Sequence, residues 1–176
     1  MIITPNNSFL GNIPSFSIHP LGLPLTSWEK MHRKAFRKFT TNHGFTNFRN
    51  FVDTMIKGIG KVRYFRIHVV GYFYSQPYFN KWCEIARGRD EIIFFAYVTL
   101  NELDRIDMSR RPNNLKIIYL NESFDLPISQ RLDNTVHTYK TEYTIDCPKH
   151  ELNAVPCSMC MKCLDQPIHL TATDWW

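Results

Sequence analysis

The apolar positions change period several times along the chain, and each change marks an element. Phe48, Phe51, Val52, Met55, Ile56 and Ile59 recur at i, i+3, i+4, i+7, i+8 and i+11, a helix stripe that faces a core, with Gly58 and Gly60 at its end. Upstream, Ser27 is placed to cap a helix from Trp28 to about Thr40, with Met31, Ala35 and Phe39 along one line. Asn42-His43-Gly44 should break that helix. Residues 1–27 are rich in Pro, Gly and Asn and read as extended loop, with a short strand at Ser15–Ile18.

After Gly60 the period shortens. Tyr64–Val70 reads as a strand, Gly71–Ser75 as a turn, and Pro77 as the first turn of a helix reaching about Arg87, with Phe79, Trp82, Cys83 and Ala86 inward. Ile92–Val98 is almost continuously apolar, as a strand covered on both faces should be. Thr99 and Glu102 form a capping box opening a short helix, and Leu115–Leu120 is a third strand. Val136–Ile145 alternates and reads as an edge or antiparallel strand. Strands alternating with helices imply right-handed crossovers, hence an α/β fold: a partial parallel β/α barrel or an open sheet. A C-terminal four-cysteine metal-binding segment completes it, with residues 1–145 as the α/β domain and 146–176 as a cysteine-rich tail packed on it.

Charge divides the chain. Residues 1–66 hold ten Lys/Arg and two Asp/Glu, whereas residues 67–176 hold eleven against fourteen, so the net +5 conceals a basic first third. Lys30, Arg33, Lys34, Arg37 and Lys38 share one face of the first helix, among Trp28, Phe36, Phe39, Phe45 and Phe48. Phosphate-pairing cations interleaved with aromatic rings suit a nucleic acid, and the cations alone suit an acidic face of a host protein complex. A solvated basic face is the plainer alternative, because Phe48 belongs to the core stripe and Phe36 and Phe39 can join it. No apolar run reaches membrane-spanning length and the first residues lack a secretory pattern, which points to a cytoplasmic protein.

Cys147, Cys157, Cys160 and Cys163 lie within CPKHELNAVPCSMCMKC. Thiolates at C-x-x-C spacing can share one ion, and four complete either tetrahedral zinc or a 4Fe–4S cluster. Pro148 after Cys147 matches a ferredoxin ligand pattern and tips the expectation towards iron–sulfur, with Zn2+ as the rival. Cys83 sits on an apolar helix face and reads as core.

Ligands of parallel sheets sit beyond the carboxyl ends of the strands. Tyr72, Tyr74 and Asn121 fall there as candidate binding residues, with Ser75 and Thr99 accounted for by capping and Glu122 without an evident acid–base partner. No catalytic residue is assigned. His68 lies within a strand and reads as a core histidine.

The segments RIHVVGYFYSQPYFNKWCEIAR and IIFFAYV, the terminal CP…CSMCMKC and the opening NNSFLGNIPSFSIHP resemble a family of phage proteins called gene product eighty-eight. The resemblance implies a reduced radical S-adenosylmethionine-like barrel. Family members place cysteines after the first strand, where this chain reads HPLGLPLTSWEKMHRKAF. Their strand-end acid is Tyr72 here, and Leu100 stands where a Lys often follows the second strand. These departures imply a degenerate scaffold that keeps only the C-terminal cluster. The resulting expectation is a non-enzymatic, metal-stabilised phage binding protein acting in the host cytoplasm on nucleic acid or a host complex, as a modulator of host defence. Its alternative is an iron–sulfur redox protein or enzyme.

Overall fold

The computed structural model describes residues 3–4, 13–19, 33–69, 71–121, 134–137, 145–146, 160–161, 164 and 168–169. Among these residues seven strands form one sheet: β1 Ser15–Phe16, β2 Tyr64–Ile67, β3 Ile93–Val98, β4 Leu115–Asn121, β5 Asn134–His137, β6 Ile145–Asp146 and β7 Ile168–His169. They lie in the order β1-β2-β3-β4-β5-β7-β6, and every pairing is parallel. Among the described residues four helices join them: α1 Arg33–Thr46, α2 Phe51–Gly58, α3 Gln76–Arg87 and α4 Leu100–Leu103. Because the first five strands follow chain order, right-handed crossovers carry the helices to one face of the sheet.

That face is aromatic. Cross-strand register aligns Phe65 with Phe94 and Phe94 with Leu115, and Phe16, Ile67, Ala96 and Ile117 are buried in the same core. Trp82 on α3 is fully buried at its centre. Its ring lies 5.6 Å from Phe16, 5.9 Å from Phe51, 6.0 Å from Phe65 and 6.4 Å from Phe94, and so joins three strands to α2. α3 forms where the sequence places it: Ser75 Oγ accepts from the Tyr78 amide at 3.4 Å, and Pro77 occupies the first turn. Asn114 plugs the other end, its Nδ2 donating to the carbonyls of Ala86, Arg89 and Ile92 at 2.8–3.2 Å. Arg89 does the same for α2, reaching the carbonyls of Ile56, Ile59 and Gly60.

Several expectations are corrected. α1 runs through Asn42-His43-Gly44 because Asn42 and His43 are buried, and Asn42 Nδ2 donates to Ser17 O at 3.0 Å. Tertiary hydrogen bonding there outweighs weak helix propensity. The proposed start of that helix at Trp28 lies outside the described residues. β2 stops at Ile67 because His68 adopts φ 60°. α2 begins at Phe51, which leaves Phe48 in the preceding turn and 60% exposed rather than in the core. Val136–Ile145 is not one antiparallel strand: its ends fall in β5 and β6, both parallel and both separated by β7.

The α/β sheet stands, but the four-cysteine metal segment of the expected fold does not. Among the described residues no group of three or more His, Cys, Asp or Glu side chains could hold a metal ion. Cys160 is a free, half-buried thiol, and Cys147, Cys157 and Cys163 lie outside the described residues. A thiolate site needs converging ligands, and one described thiol supplies none of that convergence. The expected zinc ion or 4Fe–4S cluster, and both the metal-stabilised and the iron–sulfur redox readings built on it, are withdrawn with it.

Trp82→Ala should therefore cost about 3–5 kcal/mol, since a cavity opens where three strands and two helices meet. Urea denaturation followed by circular dichroism measures it; a loss below about 1 kcal/mol would mean that the core closes without the indole.

Candidate functional site

The carboxyl ends of β1, β2 and β3 are lined by buried polar side chains. Ser17 and His19 follow β1, His68 follows β2, and Glu102 lies just beyond β3; all are buried. The last turn of α1 adds Asn42, His43 and Thr46. Ser17 Oγ accepts from the Val69 amide at 3.0 Å, and the His68 amide donates to Phe16 O at 2.8 Å, so the exits of β1 and β2 are held together. Gly71, at φ 115°, completes this approach: a Cβ there would lie 2.6 Å from Ile18 Cγ1 and 2.7 Å from its carbonyl oxygen.

Four rings form a column across this floor. His43 stacks on Tyr74 at 4.7 Å, Tyr74 on Tyr78 at 4.6 Å, and Tyr78 on His68 at 5.7 Å. Tyr78 OH and His68 Nε2 are 2.8 Å apart, and Thr46 Oγ1 meets Tyr74 OH at 2.6 Å. Burial holds His68 down at a pKa of about 3, with Arg66 and His43 adding repulsion, and burial lowers His43 against an opposing hydrogen bond to the His19 backbone. Burial likewise raises Tyr78 well above the usual phenol value. At neutral pH His43, His68 and Tyr78 are therefore uncharged.

Glu102 supplies more than the capping box expected of it. One carboxylate oxygen accepts from the Thr99 amide and hydroxyl at 2.9 and 3.2 Å, and the other accepts from the Phe73 amide at 2.9 Å. It ties the loop after β2 to the loop after β3. Burial raises its pKa, with the hydrogen bonds from Thr99 and Phe73 pulling the other way.

Charge gathers at the rim. Lys34 and Arg37 are exposed on α1 at i and i+3, on the side away from Asn42 and Thr46. Lys38 is part-buried, donates to Thr4 Oγ1 at 3.0 Å, and has its pKa lowered by that burial. Arg33 opens α1, its side chain outside the description, and Lys30 lies outside the described residues. One residue past Thr46 the chain enters the turn 47–50, where Phe48 and Arg49 are both exposed and Phe48 rests on Phe45 at 5.7 Å. Of the strand-end candidates, Tyr72 is half-buried, Tyr74 belongs to the ring column, and Asn121 ends β4 with its side chain outside the description. The sequence reading missed the burial of His43, the bond from the Phe73 amide to Glu102 and the exposure of Phe48. A legible signal existed for the last: from Lys30 to Val52 there are six Lys/Arg and no Asp or Glu, and Phe48-Arg49 sits between two asparagines.

A buried neutral histidine couples stability to pH. His68 changes from the ordinary 6.5 to about 3 on folding, so the unfolded chain takes up its proton first as pH falls. Stability is full above about pH 6.5 and is lost as pH drops towards 3, at up to about 1.4 kcal/mol per pH unit. Between about pH 7.5 and about pH 5, His68→Asn, which tolerates the left-handed backbone, should lose roughly 2 kcal/mol less than the parent. Parallel stability–pH curves for the two proteins would show that His68 titrates alike in both states.

Among the described residues no helix is long and apolar enough to cross a membrane. Neither a curated protein nor a solved structure matches the chain. A family model does: the one described as Gene product 88 matches residues 27–175, which takes in α1, the aromatic turn and the whole helix-covered sheet from β2 onward. The chain is a member of the phage gene product 88 family.

Proposed function

We propose that this protein binds single-stranded nucleic acid along the exposed side of α1 and the turn between α1 and α2. The observation that carries this reading is Phe48, a large aromatic 60% exposed beside the exposed Arg49. An isolated surface phenylalanine needs no explanation, but this one stands in a stretch without a single carboxylate. Lys34, Arg37 and Arg49 form no ion pair among the described residues. Such a surface offers what an unpaired strand requires: cations for the phosphates and a ring face on which a base can stack. A duplex hides its base faces, which is why a single strand fits better. The strand would be met in the host cytoplasm, as the phage family suggests. The reduced radical S-adenosylmethionine-like barrel implied by the resemblance is not part of this reading, since the strand order departs from chain order at β7-β6.

Fluorescence anisotropy with labelled single-stranded and duplex oligonucleotides over a salt series tests the reading. The parent should prefer the single strand, and Phe48→Ala should weaken it by about 1–3 kcal/mol if one base stacks there. Changing Lys34, Arg37 and Arg49 to Glu should abolish binding with the fold intact. Equal affinity of parent and triple variant at every salt concentration would make this a solvated surface, and capture of a host protein through the same residues would favour an acidic protein partner instead.

A further inference from the structure

Little inside the turn 47–50 holds its shape. Asn50, at the start of α2, makes no side-chain cap. The internal bonds are single-turn backbone links: Asn47 N to Gly44 O at 3.3 Å, Phe48 N to Phe45 O at 3.0 Å and Phe51 N to Phe48 O at 3.2 Å. The firmer hold comes from α3. Lys81 Nζ donates to Thr46 O, on the last residue of α1, at 2.6 Å. The same ammonium lies 5.9 Å from the ring centroid of Phe51, the first residue of α2. Phe51 meets Phe45 edge-on at 5.7 Å, and Phe45 supports Phe48. One cation on a third helix thus joins the two ends of the turn. Its placement suits it, because the final carbonyls of a helix lack partners and carry the negative end of the helix dipole.

We propose that Lys81 is a positioning residue for nucleic-acid binding: through Thr46 O and the Phe51 ring it holds Phe48 and Arg49 where a strand meets them, without itself touching the strand. The proposal rests on the nucleic-acid reading above. A preformed turn spares the complex the cost of ordering it, so removing Lys81 lowers affinity although no phosphate contact is lost. Tyr74, through its hydroxyl on Thr46 Oγ1, is a weaker second anchor.

The test is anisotropy of labelled oligothymidylate over a salt series with the parent, Lys81→Met, Lys81→Arg and Arg49→Ala. Lys81→Met should bind roughly five- to tenfold more weakly, the net effect of one hydrogen bond, with the parent's salt slope. Lys81→Arg should recover most of the loss. Arg49→Ala, which removes a phosphate contact, should lower the slope by about 0.7. Lys81→Met binding as tightly as the parent overturns the proposal. So does a slope lowered as in Arg49→Ala, since Lys81 would then be a phosphate contact itself. Absence of salt-dependent binding by the parent overturns the nucleic-acid reading first, and this proposal with it. Should Lys81→Met not fold, Lys81→Gln carries the same comparison.

Discussion

The burial of the Trp82 indole is the contact on which the remaining packing depends. An indole on a helix over a parallel sheet must find large apolar partners, and here they come from β1, β2, β3 and α2 at once. That demand explains why the helix face of the sheet is built of Phe rather than Val or Ile at Phe16, Phe65 and Phe94. It also explains why α2, only eight residues long, is stable. A helix of that length is marginal in water and gains its stability from the face it buries. Phe51 and Met55 supply that face, and the start of α2 at Phe51 leaves Phe48 outside.

Around this core, polar side chains finish what the backbone leaves open. Asn114, Arg89, Glu102, Asn42 and Lys81 each hydrogen-bond backbone groups distant in sequence, at loops and helix ends that the strand ladder does not reach. Buried backbone groups need partners, and at the ends of a parallel sheet these must come from side chains or water. The structure is thus assembled twice, by aromatic burial at the centre and by side chain–backbone bonds at its margins.

The two layers were unequally legible. β2, β3 and β4, the helix from Gln76 and its Ser75 cap follow from period, apolar content and capping chemistry, which are local. Asn42-His43-Gly44 looks like a helix stop because propensity is local too, whereas the bond from Asn42 to Ser17 spans 25 residues. His68 reads as the middle of a strand, since nothing in YFRIHVV reveals a left-handed backbone. Its carbonyl accepts from Arg66 Nε at 3.2 Å, a contact visible only after folding. The cysteines teach the converse. Their spacing is a property of the chain, and a metal site is a property of converging side chains; among the described residues that convergence is absent.

The exposed side of α1 is poorly arranged for its own stability. Among its described residues the N-terminal half of α1 carries Arg33, Lys34, Arg37 and Lys38 and no acid. Lys34 and Arg37 repel one another at i, i+3, and from Lys30 to Val52 no Asp or Glu relieves them. Each term costs only a few tenths of a kcal/mol, and a helix under selection for stability alone could remove all of them with one or two acidic residues. The buried side of the same helix shows no such neglect: Asn42 and Thr46 are both hydrogen-bonded. The misplaced charge is confined to the exposed side and continues through Arg49 in the turn that presents Phe48. A carboxylate would relieve the helix and repel a phosphate. Keeping the cations unopposed leaves their attraction available to an anionic partner, and the strand proposed above would supply from outside the negative charge that the exposed side of α1 lacks.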